Sequence, residues 1–191
     1  MRRDKESRRH SFVKELTKNL PQNILSLEIG VAAGDFSNQL INNLSIKEHH
    51  MVDPWVNEGD QTRSQWFTSD NPAEESFEFV QERFKNSPTQ IIRDYSHNFL
   101  INELRSGIQK YDLIYVDGDH HAEAVYLDLV LSWEILNPGG ILAGDDYNWV
   151  SKTTNKQEVK VGVIKFEQTY GVKFNIVKGD NNGLNQFWLK K

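Results

Sequence analysis

The feature that most constrains this chain is a rhythm. From residue 23 to the C-terminus, short β-branched or apolar runs alternate with longer segments of helical period. The runs are NILSLEIG (23–30), HHMVD (49–53), TQIIRD (89–94), YDLIYVDG (111–118), GGILAGDD (139–146), KFNIV (173–177) and NQFWLK (185–190). Between the first six lie FSNQLINNLS, EESFEFVQERFKNS, SHNFLINELRSG, HAEAVYLDLVLSWEIL and VKVGVIKFEQTYG. Runs of this length read as strands, and apolar residues three or four apart read as helices. Strands joined through helices run parallel, with both faces of the sheet covered. The last two runs, joined by the turn-rich KGDNNGL, predict an antiparallel hairpin. The expected fold is therefore α/β, a doubly wound sheet of six parallel strands and one antiparallel. In the fourth helix Ala122, Val125, Tyr126, Leu129, Trp133 and Leu136 form one stripe. Asn137 and Pro138 are expected to end it, and Gly139 and Gly140 to turn the chain into the next strand.

Nothing along the chain divides it. At 191 residues, without internal repeats or a Pro/Gly/Ser linker, it predicts one domain over 1–191, with 1–23 as a helical or flexible extension. An apolar fraction of 38% and a charged fraction of 26% fit a soluble globular protein. There are no cysteines, which removes disulfides, thiolate catalysis, Cys-based zinc sites and iron–sulfur clusters. No apolar stretch reaches the roughly 18 residues of a membrane span. The N-terminus is charged where a signal peptide would be apolar, so a cytoplasmic protein without membrane contact is expected. A net charge of −5 disfavours nucleic acid as a partner. The one basic cluster, MRRDKESRRH, is mixed with acids and reads as a solvated or frayed end.

In a doubly wound sheet, ligands bind outside the carboxyl ends of the strands, near the switch point of the winding. Here five consecutive strand ends carry an acid: Glu28, Asp53, Asp94, Asp117 with Asp119, and Asp145 with Asp146. The first belongs to LEIGVAAGDFS, where Gly30 and Gly34 flank a turn that lets backbone approach a ligand closely. This is not the dinucleotide fingerprint, since position 32 is Ala and no glycine follows at 35. Glu28 would repel a phosphate and suits a cationic amine. The alternative is a tight strand–helix connection and no more. Asp53 has two readings, a ribose ligand accepting from a diol or a turn aspartate before Pro54.

Asp117, Asp145 and Asp146 converge if the fourth and fifth strands are neighbours. Like charges at one rim raise each other's pKa unless a cation intervenes. Oxygen ligands without Cys point to a hard divalent ion, Mg²⁺ first and then Mn²⁺ or Ca²⁺. The competing reading makes Asp145-Asp146 a solvated turn. Asp119 is expected to cap the fourth helix, which would place His120 in its first turn as a candidate general base. His121 is expected to face away.

These residues together resemble the class I S-adenosylmethionine-dependent methyltransferases, and among them the metal-dependent small-molecule O-methyltransferases of the macrocin O-methyltransferase group. The stretch DLIYVDGDHHAEAVYLDLVLSWEILNPGGILAGDDY carries most of the likeness, with LEIGVAAGDFS and VDPW as the first and second cofactor motifs. The resemblance implies a Rossmann-like fold and a cofactor, S-adenosylmethionine, whose methionine end lies along Glu28, Gly30, Gly34 and Ser37. It implies ribose on Asp53, adenine against Asp94, Tyr95 and Ser96, and Asp117 shared between the cofactor and a Mg²⁺ or other divalent ion also held by Asp145 and Asp146. His120, oriented by Asp119, falls where the relatives place a base. RDYS departs from the usual third motif, which leaves the adenine contacts open.

The resulting expectation is methyl transfer to a hydroxyl of a small molecule, with metal assistance. The loops 54–72 and 147–158 carry Trp55, Trp66, Phe67 and Trp149, which fit either an acceptor lid or the interface of a homo-oligomer. Two other classes compete: a non-catalytic protein that binds S-adenosylmethionine for regulation, and a nicotinamide-dependent oxidoreductase.

Overall fold

The structure, a computed structural model, describes residues 9–57, 70–107 and 111–191. The basic residues ahead of Arg9, and Trp66 and Phe67 of the first long loop, lie outside them. Seven strands form one sheet: β1 (Ile24–Ile29), β2 (Ile46–Asp53), β3 (Thr89–Arg93), β4 (Tyr111–Val116), β5 (Leu136–Gly144), β6 (Asn175–Val177) and β7 (Gln186–Lys190). Their order is β3-β2-β1-β4-β5-β7-β6, with β7 antiparallel to both neighbours and the other pairs parallel. The six-plus-one sheet expected from the alternating pattern is the sheet observed. The winding runs outward from β1 through β2 to β3, then returns to place β4 beside β1. The switch point is the crevice between the carboxyl ends of β1 and β4.

Helices α1 (His10–Asn19), α2 (Asp35–Asn43), α3 (Pro72–Phe84), α4 (Ser96–Ser106), α5 (Ala122–Ile135) and α6 (Glu158–Tyr170) cover the two faces. Strand alternation sorts the core. Leu27, Ile29, Ile114, Val116 and Leu142 point to the α4–α5–α6 layer, and Leu113, Tyr115, Ile141 and Ala143 to the layer of α1 and α2. α3 adds a third cluster, with Val80 and Phe84 on Val31, Met51 and Trp55. α1 belongs to the body of the domain: Phe12, Val13 and Leu16 are buried against Phe36 and Tyr115. Each such side chain contributes about 1.5–3 kcal/mol when fully buried.

One boundary differs from expectation. α5 ends at Ile135, and Leu136 is already extended and paired with Tyr111. The pairing next resumes at Leu113 with Ile141, so Asn137–Gly140 form a bulge within the strand instead of a loop before it. The C-terminal Lys191 bonds across this bulge, accepting from Gly139 N and donating to Gly140 O.

Candidate functional site

The acids from β4 and β5 meet, as their neighbouring strands require. Asp117 directs Oδ2 to the Arg9 guanidinium at 2.8 Å, and Oδ1 lies 3.7 Å from His120 Nε2. The same His120 nitrogen is 3.1 Å from Asp146 Oδ2. One ligand atom from each of Asp117, His120 and Asp146 can be chosen so that all lie within 4.8 Å of one another. Carboxylate oxygens with one imidazole fit a hard or borderline divalent cation, so the donor set suits the implied ion. Asp145 faces elsewhere. It pairs with Arg9 and accepts from Gln186 Nε2 at 2.7 Å.

Charge sets the protonation of the group. Burial alone would lower His120, yet the hydrogen bond to Asp117 and the charges of Asp146, Asp117 and Asp145 hold its pKa at about 9. Burial raises Asp146, and Asp117 and Asp145 add to this, giving about 7 against the opposing pull of His120 and Arg9. Burial acts upward on Asp117 as well, but Arg9 and His120 together keep it below the usual carboxylate range. Without a cation the imidazole is therefore protonated at neutral pH. It becomes a base only when something else answers the carboxylates.

The supports of His120 differ from expectation. The helix begins at Ala122, so His120 stands in the loop ahead of it, outside the first turn. Asp119 does not cap the helix: its Oδ1 accepts from His121 N at 2.9 Å and lies 2.6 Å from His121 Nδ1, a local turn exposed to solvent. His120 instead meets Trp149, with ring centroids 5.1 Å apart in an edge-on arrangement. Trp55, grouped with the loop aromatics in the sequence, is core. It is fully buried, stacks at a tilt on Phe77, and donates Nε1–H to Ala32 O at 3.0 Å.

The residues around the glycine turn are bonded chiefly to one another. Glu28, 1% exposed, lies under α2, where its Oε2 accepts from Ser37 Oγ at 2.6 Å. The same oxygen is 3.2 Å from His49 Nε2, and His49 Nδ1 is 2.9 Å from Ser26 Oγ. With Glu28 ionised, Nε2 carries the proton and Nδ1 accepts from the Ser26 hydroxyl. Ser26, His49 and Glu28 line up like a nucleophile, base and acid, but all are closed to solvent, so the chain joins β1, β2 and α2. Asp53 Oδ2 accepts from Val31 N and Ala32 N, both at 3.0 Å, and Oδ1 from Trp55 N at 2.7 Å. This carboxylate shapes the turn from the end of β2. Asp53→Ala would leave three amides without that acceptor and is expected to cost about 2–3 kcal/mol. A fall in the urea midpoint at constant m-value would register it, and a loss under about 0.5 kcal/mol would mean that water substitutes fully.

At the end of β3, Asp94 Oδ1 accepts from Tyr95 N at 2.8 Å and Asn98 Nδ2 at 3.1 Å, fixing the start of α4. Ser96 bonds to Asp128, a buried carboxyl of α5 whose pKa is lifted to about 7 by burial, against the Ser96 bond and with help from Asp119. Sequence reasoning passed over Asp128, although an acid inside the apolar stretch YLDLVL was a visible signal. Arg9 and Gln186 were also missed. Arg9 belongs to the basic cluster that reads as a solvated end, yet its guanidinium is half-buried, 4.8 Å from the Phe36 ring centroid and 5.7 Å from that of Tyr115. No local pattern distinguishes it from its neighbours. Only the docking of α1 does.

This combination, a switch-point crevice with a glycine turn on one side and ionisable groups on the other, defines a class of group-transfer domain. A model of the methyltransferase-domain family matches residues 27–147, well over half of the chain, and the chain belongs to that family. It is similar to an uncharacterized protein of Acanthamoeba polyphaga mimivirus, 29% identical over an alignment of 187 positions that covers 86% of this chain and 77% of that protein. Among solved structures it is similar to an O-methyltransferase from Bacillus cereus in complex with SAH, with TM-score 0.64, 15% identity, and 94% and 79% of the two chains covered. It is likewise similar to the N-methyltransferase NodS from Bradyrhizobium japonicum, with TM-score 0.61, 17% identity, and 96% and 94% covered. An rRNA methylase from Streptococcus thermophilus gives TM-score 0.61 at 13% identity, with 95% of each chain covered. Among the described residues no helix is long and apolar enough to cross a membrane.

Proposed function

We propose that this chain transfers a methyl group from S-adenosylmethionine to a hydroxyl of a small molecule, assisted by a divalent cation, Mg²⁺ in the first place. The observation that carries the reading is the Asp117–His120–Asp146 group at the crevice where β1 and β4 part. When bound, the cofactor supplies the reactive methyl group and the cation supplies Lewis acidity that lowers the acceptor's pKa. The rest is the work of the chain. Gly30 and Gly34 keep side chains out of the turn, and Asp53 fixes the turn's amides. Ser96, tied to Asp128, fixes the start of α4 on the adenine side. Asp117 and Asp146 would hold the ion, with Asp145 paired to Arg9. His120 receives the hydroxyl proton at Nε2 once the carboxylates are neutralised, and Trp149 packs edge-on beside its ring.

Family membership supports methyl transfer over hydride transfer. The preference for a hydroxyl rests on the cation seat, because methyltransferases of oxygen, nitrogen and rRNA share this fold. The net charge of −5 favours a small acceptor over nucleic acid. S-adenosylhomocysteine is expected to raise the melting temperature and NADH to leave it unchanged; the reverse would sink the reading. His120→Ala should lower kcat by about 10²–10⁴-fold with cofactor affinity kept. Loss of Mn²⁺ binding in that variant would make His120 a ligand and not the base. Normal turnover would remove it from the mechanism altogether.

A further inference from the structure

Three carboxylates at the ends of β4 and β5 share one small volume, but they do not share one environment. Arg9 Nη2 contacts both Asp117 Oδ2 and Asp145 Oδ2. Gln186 Nε2 donates to Asp145 Oδ1, so both oxygens of Asp145 are engaged by side chains. Asp117 Oδ1 and Asp146 Oδ2 face His120 instead. The arginine is held there by its helix. Two residues on, Ser11 donates its N–H to Asp180 Oδ2 at 2.7 Å and its hydroxyl to Asp180 Oδ1 at 2.6 Å, which pins the start of α1 to the β6–β7 connection. Phe12, Val13 and Leu16 then bury the helix on the sheet. Around the guanidinium, Phe36 and Tyr115 present their rings and the Asp145 side chain is almost fully buried, so this side of the cluster is part of the packed body of the domain.

We propose that Arg9 is a resident counter-cation that divides the acid cluster in two, reserving Asp145 and one oxygen of Asp117 for itself and leaving Asp117 Oδ1 and Asp146, beside His120, as the seat of the divalent ion. The inference rests on the metal-assisted reading above and assigns ligands within it: Asp145 is a partner of Arg9, not a ligand. A fixed positive charge facing both Asp117 and Asp145 lowers the negative potential that a second cation meets. Arg9 is thus a positioning residue that moderates metal affinity, so that the ion is exchangeable and not permanently held.

The test is Mn²⁺ binding, by electron paramagnetic resonance and calorimetry, on the full chain without cofactor. Asp145→Asn, which keeps the shape of the buried side chain and one of its two acceptor oxygens, should bind Mn²⁺ within about threefold of the parent. Asp146→Asn should weaken it by at least about tenfold, the scale on which lost partners of a metal centre act. Arg9→Gln should tighten Mn²⁺ about tenfold or more, and adding Asp145→Asn to it should reverse the gain, because the released carboxylate is what strengthens the seat. If Asp145→Asn alone abolishes binding, Asp145 is a ligand and the inference falls while the metal reading stands. If the parent binds no Mn²⁺ at millimolar concentration, the metal reading fails and takes this inference with it. Should Arg9→Gln not fold, the Asp145→Asn result decides the matter alone.

Discussion

Asp146→Asn is expected to yield a folded protein that still binds S-adenosylmethionine but turns over no faster with Mg²⁺ than with EDTA. Asn is the choice because Asp146 has φ +60, the left-handed region, which Asn tolerates and Ala does not. The expected fall in metal-stimulated turnover is at least about 10²-fold. The metal-free protein should show a second effect, in its stability. Burial, with Asp117 and Asp145, lifts the Asp146 carboxyl from 3.8 to about 7. A group whose pKa is raised on folding binds its proton more tightly in the folded state. Its contribution is full below the unfolded value and is lost as pH rises through the folded one. Parent protein in EDTA should therefore lose stability between about pH 4 and pH 7 by an amount that Asp146→Asn does not lose, and divalent ion should restore it in the parent alone. Superimposable pH–stability curves for the two proteins would mean that Asp146 lies in bulk water, and the cation seat would go with it.

The fold was legible because periodicity is a local property. A run of five or six apolar residues reports a strand, and Ala122, Val125 and Leu129 report the buried side of α5, wherever the remainder of the chain lies. The strand ends were legible too, and with them the list of acids. Their directions were not. Glu28 and Asp53 both end strands, but the pleat sends Glu28 under α2 and hydrogen bonding turns Asp53 back onto the amides of Val31, Ala32 and Trp55. Asp145 and Asp146 are adjacent in sequence and diverge, one toward Arg9 and the other toward His120, because Asp146 takes a left-handed backbone conformation. Arg9 was hidden for a different reason. Its acidic partners lie 108 residues or more along the chain, and its own neighbourhood is rich in charge, so the signal was in the docking of α1 and nowhere nearby. The bulge at Asn137–Gly140 shows the same limit, since Pro and Gly mark an irregularity without saying whether a loop or a strand contains it.

Gly30→Ala should be the most damaging single substitution in the domain that removes no functional group. Two costs coincide there. Gly30 has φ +85, which costs an L side chain about 1–2 kcal/mol. Its added Cβ would also enter the Asp117 carbonyl and come within 2.7 Å of Gly118 N, and neither is a side chain that can rotate away. Overpacking of this kind costs about 1–3 kcal/mol more, for an expected total of about 2–5 kcal/mol. Two other glycines separate the costs. Gly107, at φ +62, has nothing within 4 Å of an added Cβ and isolates the backbone cost. Gly34, at φ +74, would meet the Phe84 ring edge at 2.5 Å, a contact that a side chain can partly relieve. Urea denaturation should therefore rank the alanine variants in stability as Gly107, then Gly34, then Gly30. The site adds a consequence that only the last should show. Asp117 N donates to Ile29 O at 2.8 Å, so relieving the Gly30 clash means opening the β1–β4 ladder at its carboxyl end and carrying Asp117 away from Asp146 and His120. Whatever fraction of Gly30→Ala folds should bind neither Mn²⁺ nor S-adenosylhomocysteine. A variant as stable as Gly107→Ala that binds both would show that β1 and β4 are not in contact at the switch point, and the geometry of the site would have to be drawn again.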